Sequence, residues 1–396
     1  MISAEEAQAT ILRSVEPSGA ITVSLDRSLG FVLAESIVAS ENIPPFDNAA
    51  MDGYAISTKG AGELILSIVG EIAAGSPALN ALHSGEAMSI MTGASIPDGC
   101  DAVIQQEWTE LAGPGRVKIL RSVMPGHNIR SAGADIRKGS DVLGPGQHVR
   151  PQEIGVLASM GKRFVSIYRP PSVAILATGN EIVEIDHTPP AGKIRNSNAH
   201  ALSALVRECR CEPISLGTAR DDRKELTLKI MQGLEAGMLI TTGGISVGKY
   251  DLVMEVLKEI GVEVKFWKVN IKPGMPLMFG LYRGKPVFAL PGNPVSTVVT
   301  FLQFVKPALQ KMMGLRNPGA RVRLKAKLGH EIQKPDGKRH FVRGILENGD
   351  GGMTVRSAGS QVSNILSSLV KANCLIIIPE EAEIVRANEE VEVEIL

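Results

Sequence analysis

MLITTGGISVGKYD, residues 238–251, decides the fold. An apolar run of strand length ends on Thr241 and Thr242. Paired glycines follow, Gly243 and Gly244, then a polar turn through Ser246 that reaches Asp251 as the helical pattern DLVMEVLKEIG begins. A run without polar alternation belongs to a strand covered on both faces.

The same passage from strand to polar loop to helix recurs on either side. SVAILAT (172–178) ends on Thr178 and leads into Gly179, Asn180 and Glu181. The helix after it, NSNAHALSALVREC, sets Leu202, Leu205, Val206 and Cys209 on one face. EPISLGT leads to Arg220, Asp221 and Asp222, and VEVKFWKV leads past Lys268 to Lys272, Pro273 and Gly274. KPVFALPG leads through Pro291, Gly292 and Asn293 into the long pattern PVSTVVTFLQFVKPALQKMMG. Strands alternating with helices over residues 169–317 predict a doubly wound, mostly parallel sheet.

The flanks differ in texture. Residues 46–135 carry short strands such as EAMSIM and GRVKIL, separated by Gly, Pro and Asp, and predict a β-rich domain. Residues 1–45 and 136–168 read as an elongated N-terminal helical and linker domain. Ser3 and Glu6 form a capping box at its start. Residues 318–396 hold RVRLKAKL, RHFVRGIL, MTVRSAG, CLIIIPE and VEVEIL, with one helix at SNILSSLVKAN, and predict a small C-terminal β-domain. The expected fold class is thus multidomain α/β plus β.

Composition narrows the partners. Forty-two Lys and Arg balance forty-two Asp and Glu, which leaves no net field for nucleic acid or an anionic membrane. Four scattered cysteines make neither a disulfide framework nor a zinc site. No apolar stretch has the length of a membrane span, and the N-terminus lacks a basic-then-apolar leader. A reduced, cytoplasmic, soluble protein is expected.

In an open parallel sheet, ligands bind beyond the carboxyl ends of the strands, where helix N-termini and loose amides gather. All five loops fall on that edge. None is a dinucleotide or P-loop fingerprint. Each loop alone is ordinary turn and capping chemistry. Together, glycines, two lysines (Lys268, Lys272) and carboxylates (Glu181, Asp221, Asp222, Asp251) point to a phosphate-and-metal site.

Nine segments in order carry a family resemblance: NAAMDGYAI, IMTGASIPDGCDAVIQQE, GHNIRSAGADI, ILATGNEI, KIRNSN, TTGGISVGKYD, NIKPGMP, ALPGNPVS and SNILSSLVKAN. Over essentially its whole length the chain resembles the MoeA-type molybdopterin molybdotransferases, to which the carboxy-terminal domain of gephyrin also belongs. The resemblance implies insertion of molybdate into adenylylated molybdopterin with release of AMP, assisted by Mg²⁺ or another divalent cation. It implies an elongated homodimer whose cleft lies between the α/β and C-terminal domains of one subunit and the β-rich domain of the other. Transient contact with cofactor-synthesis and cofactor-accepting proteins would follow.

Carried over by motif, the functional positions are Asp52, Thr92, Asp135, Glu181, one of Asp221 and Asp222, Asp251, Lys268, Lys272 and Ser363. Lys268, Lys272 and the amides of Gly243 and Gly244 would bind anions. Glu181, Asp251 and one of the Asp221–Asp222 pair would hold the metal, and Asp52 would come from the neighbouring subunit. The chain departs from the common pattern at Asn180, Ala134, Met275 and Val362. A non-catalytic scaffold of the same fold would release no AMP. A flavin carrier is poorly provided for, since Tyr250 is the lone Tyr or Trp of the strand-end loops.

Overall fold

A computed structural model describes residues 1–59, 65–77, 80–245, 252–349 and 352–396. The expected positions Ser246, Tyr250 and Asp251 lie outside the described residues.

The central sheet has six strands: β1 (Ser172–Thr178), β2 (Glu212–Ala219), β3 (Met238–Thr242), β4 (Glu263–Trp267), β5 (Met278–Tyr282) and β6 (Lys285–Leu290), in spatial order β2-β1-β3-β6-β5-β4. β2, β1, β3 and β6 are parallel; β1, β3 and β6 carry the unbroken apolar runs of strands buried on both faces, and β2 is the part-exposed edge. β5 was not expected. It returns antiparallel to β6 through Arg283 and Gly284, both at positive φ (50° and 80°), the backbone a two-residue hairpin demands. β4 pairs antiparallel with β5 and so points the same way as β1. The carboxyl ends of β1, β2, β3, β4 and β6 therefore share one edge.

Both faces are covered because successive side chains of a strand point to opposite sides. Val173, Ile175 and Ala177 face a core with helix α3 (Ser197–Glu208), α6 (Pro294–Thr300) and α7 (Lys306–Met312). Ala174 and Leu176 face the opposite core with α4 (Arg223–Gly233) and α5 (Leu252–Ile260). The long helical pattern after Asn293 is not uniform. Residues Phe301–Val305 form a π turn between α6 and α7. Pro307 has no N–H to give the Gln303 carbonyl, and its ring crowds that carbonyl, so the ladder loosens there.

The first helix, α1 (Ala4–Ser14), is capped as expected, with Ser3 Oγ accepting from the Glu6 amide at 3.1 Å. Its apolar face, Ala7 and Ile11, packs on the α/β core rather than on the linker with which the sequence grouped it. The linker core is built instead by Leu33, Ile37, Val149 and Leu157, the last on α2 (Pro151–Ser159), around the antiparallel pair Ala20–Ser24 and Phe164–Tyr168. The β-rich unit is a six-stranded sheet. It includes Gly53–Ile56. A Cβ on Gly53 would stand 1.9 Å from the Ile104 carbonyl oxygen, so only glycine lets this strand pair so closely.

The C-terminal strands close on themselves. Arg339–Gly349 pairs with both Gly352–Ser357 and Cys374–Ile378, and Glu390–Ile395 and Arg323–Leu328 complete a small barrel. The expected helix there is the short Ser367–Lys371. Several contacts hold the barrel to the α/β unit. Ile271–Lys272 pairs parallel with Arg339 and His340. The Val295 amide donates to the Ser363 carbonyl at 3.1 Å. Buried Gln303 donates to Glu394 at 3.0 Å.

Candidate active site

Along the carboxyl edge of the sheet run three adjoining hollows. The first, about 500 Å³, is bordered by Gly179, Asn180, Glu181, Asp221 and Gly244. The second, about 590 Å³, shares Glu181 and adds Arg195, Asn198, Gly243, Gly292 and Asn293. The third, about 770 Å³, shares Asn293 and reaches Lys272, His340 and Ser363 on the barrel side. Loops after β1, β2, β3 and β6 thus form one trench, extended by the β4–β5 connection.

Its floor is fixed by local chemistry. Gly243 and Gly244 sit at φ 96° and 65°. A Cβ on Gly243 would lie 2.4 Å from the Thr178 carbonyl oxygen, and one on Gly244 2.4 Å from Val253 Cγ2. Glycine is required here by close approach, but not for a free amide at Gly243, whose N–H donates to the Leu290 carbonyl at 3.1 Å. That corrects the expectation that the Gly243 amide faces an anion. Replacing Gly243 by Ala is expected to cost about 1–3 kcal/mol of strain. Thermal unfolding should then shift down by roughly 2–4 °C for each kcal/mol. A melting temperature within about 1 °C of the parent's would show that the loop relaxes instead.

Buried Thr178 turns its hydroxyl to the Thr242 carbonyl at 3.4 Å. Asn198 Nδ2 donates to Thr242 Oγ1 at 3.0 Å and to the Gly292 carbonyl at 2.8 Å, while Thr297 Oγ1 donates to the Pro291 carbonyl at 2.6 Å. These bonds clamp the Pro291–Gly292–Asn293 backbone. Asn198 and Arg195, both in KIRNSN, were not among the expected site residues. Arg195 borders the second hollow with only its Nε engaged by the described structure, at 3.2 Å from the Ile185 carbonyl.

The acids divide by role. The Asn180 amide donates to Asp221 Oδ2 at 3.3 Å and the Asp221 amide to Asn180 Oδ1 at 3.2 Å, which ties the β1 and β2 loops together. Asp222 instead caps α4, accepting from the Glu225 amide at 2.9 Å. It is corrected from metal candidate to helix cap. Among the described residues no three His, Cys, Asp or Glu side chains group as a metal cage. Of the expected acids Glu181 and Asp221 remain on one hollow, which Glu255 of α5, paired with Arg223, also borders.

The two lysines also part company. Lys272 borders the third hollow, its Nζ 3.2 Å from Asp336 Oδ2. Lys268 borders none of the three; a φ of 72° turns its backbone, and its ammonium lies 4.1 Å from the centre of the Trp267 ring. The expected anion-binding position of Lys268 thus lies off the trench that the single chain forms.

Ser363 arrives from the barrel loop. Arg343, which the sequence reading missed, shapes that loop: it is 1 % exposed, and its guanidinium donates to the Ser360 and Val362 carbonyls at 3.1 and 3.2 Å and to Ser368 Oγ at 3.1 Å. Met275 and Val362 border the same hollow.

Asp52, Thr92 and Asp135 border none of these hollows. Asp52 Oδ1 accepts from the Thr92 hydroxyl at 2.7 Å and the Thr92 amide at 2.6 Å, and these bonds hold its carboxyl below the usual range. Asp135 borders a separate hollow of about 420 Å³ with Asn48, Arg130 and Ala134. One chain alone does not bring these residues to the trench.

The chain matches three family models in succession: the MoeA N-terminal region (domain I and II) over residues 2–161, a probable molybdopterin binding domain over 174–311, and the MoeA C-terminal region (domain IV) over 325–396. It is similar to the molybdopterin molybdenumtransferase of Haemophilus influenzae, at 36% identity covering 100% of this chain and 98% of that protein. It also resembles molybdopterin molybdenumtransferase 2 of Mycobacterium tuberculosis, at 35% identity covering 99% of each. The crystal structure of the molybdopterin biosynthesis moeA protein from Pyrococcus horikoshii OT3 superposes with a TM-score of 0.87 at 33% identity, covering 100% of both chains. Trench, barrel and full-length similarity agree: the chain belongs to the MoeA family.

Proposed function

We propose that the chain is a molybdopterin molybdotransferase, which inserts molybdate into adenylylated molybdopterin and releases AMP. The observation that carries this reading is the continuous trench with Glu181 and Asp221 at one end and Lys272 at the other. Such length and charge distribution suit an extended polyanion meeting a second anion. Unit charges at contact interact by about 4 kcal/mol at an effective dielectric near 20, so each cationic group in a partly desolvated trench counts.

Glu181 and Asp221 offer hard oxygen donors. Mg²⁺ commonly takes one or two carboxylates and completes its shell with water and substrate phosphate, so these residues fit a divalent cation. When bound, the ion supplies positive charge against the phosphoanhydride. The clamped Pro291–Asn293 backbone positions the nucleotide. The Arg195 guanidinium offers paired donors for a phosphate. Lys272 and Ser363 meet the oxyanion. Asp52, Thr92 and Asp135 complete the site from the partner of a homodimer. The protein works in the cytoplasm, in transient contact with the enzymes that make and accept the cofactor. Support for the compartment is its set of unpaired cysteines, Cys100, Cys209, Cys211 and Cys374, and the absence among described helices of any long and apolar enough to cross a membrane.

Purified protein given adenylylated molybdopterin is expected to release AMP only when molybdate and a divalent cation are both present. AMP released equally without molybdate overturns the reading. Binding of the nucleotide without any AMP release would mark a scaffold instead.

A further inference from the structure

Beneath Lys272 lies a charged cluster that the reaction does not account for. Asp336 takes the Lys272 ammonium at 3.2 Å on Oδ2, and His340 Nε2 stands 2.8 and 3.0 Å from its two oxygens. Burial pushes the Asp336 carboxyl up, but hydrogen bonds and charge from His340 and Lys272 outweigh it and hold the carboxyl at about 2. An ionised carboxylate only accepts, so His340 Nε2 carries the proton and donates. His340 is itself buried on the barrel strand that pairs with Ile271–Lys272, so backbone pairing and side-chain contact fix the same spot. Lys334, another nearby cation of the barrel, gives its ammonium to the Glu380 carbonyl at 3.0 Å, and Lys338 borders the same hollow, its amide donating to Asp336 Oδ1 at 3.4 Å.

The geometry is lopsided. Lys272 and His340 border the third hollow and Asp336 does not. The Lys272 side chain is 59% exposed and that of Asp336 26%. An exposed ammonium at the wall is therefore tethered from behind by a carboxylate that the single His340 Nε2 donor and the Lys338 amide also hold.

We propose that Asp336, anchored by His340, is the resting counter-ion of Lys272, which the incoming oxyanion must displace to take the ammonium. This positioning role rests on the molybdotransferase reading. While Asp336 keeps Lys272, the ammonium is pre-placed, and the hollow's attraction for anions is reduced. When the oxyanion arrives, His340 retains the carboxylate, so Asp336 does not follow the lysine into the hollow. The arrangement sets anion affinity low enough for turnover.

Asp336→Asn keeps an oxygen acceptor for Lys272 and removes the charge. The expected result is a KM for molybdate lower by roughly three- to fivefold, the worth of a part-exposed ion pair. The KM for adenylylated molybdopterin should move much less. Asp336→Glu, which restores the charge, should return the molybdate KM toward the parent's. A molybdate KM unchanged or raised in Asp336→Asn overturns the proposal, as does an equal fall in Asp336→Glu. Should the parent protein release no AMP with molybdate, the functional reading fails by itself. Molybdate alone, titrated calorimetrically into parent and Asp336→Asn protein, then tests the counter-ion: tighter binding to the variant supports it, and equal or weaker binding overturns it.

Discussion

Replacing Lys272 by Ala is expected to lower molybdate-dependent AMP release by about 10²–10³-fold, the usual loss when one pre-placed donor to developing negative charge is removed. The expectation follows from position. Lys272 lies where the β4–β5 connection pairs with the barrel, so its ammonium stands on the wall between two units and has only to leave Asp336 to meet an anion. Deleting it also leaves Asp336 with His340 as its remaining described side-chain partner, and so adds an unbalanced negative charge behind the hollow. Both terms act against an oxyanion, and both should appear in kcat/KM for molybdate. Lys268→Ala is the informative contrast. Its ammonium rests on the Trp267 ring outside the three hollows, so its loss should be the smaller of the two. Equal losses in the two variants would mean that the trench, as the single chain forms it, is not where the oxyanion binds.

That contrast marks the limit of what could be read from the chain. The α/β unit was legible because strands buried on both faces cannot alternate, and SVAILAT and MLITT announce themselves by that alone. The shared edge followed from strand direction, and with it Thr178, Glu181, Gly243 and Asn293. What escaped were matters of partner choice. β5 was hidden because LMFGLY and KPVFAL sit two residues apart, and the hairpin signal rested on Arg283–Gly284, where Arg is an uncommon left-handed residue. Asp222 could have been separated from Asp221. Asp222 and Glu225 have the spacing of a helix cap, which leaves Asp221 to face the hollow. Lys268 and Lys272 were indistinguishable by composition, since only the backbone turn at Lys268 and its stacking on Trp267 take it off the wall. Arg343 lay unnoticed because a buried arginine inside an apolar strand has no sequence mark; its partners are carbonyls of a loop some twenty residues on.

Mixing two inactive variants is expected to restore activity, because a site shared across a homodimer can be complemented. Asp52→Ala and Lys272→Ala should each abolish nearly all turnover as pure homodimers. The proposed site joins Asp52 of one subunit to Lys272 of the other. In a heterodimer of the two variants, the subunit with intact Lys272 faces the subunit with intact Asp52 at one site, and both lesions fall in the second. Random exchange makes about half the dimers mixed, each with one of two sites whole, so roughly a quarter of the parent activity should return. A site completed within one chain gives no such recovery, since every chain then carries one lesion. The shared arrangement is what the proposed function requires, since one chain does not bring Asp52 to the trench. Asp52 is held by its two bonds from Thr92 on the β-rich unit, and it is exposed and borders none of the trench's hollows. Heterodimers demonstrated by native mass spectrometry yet without activity would put Asp52 outside the site, and its bonds to Thr92 would then serve only to fix the turn that carries them.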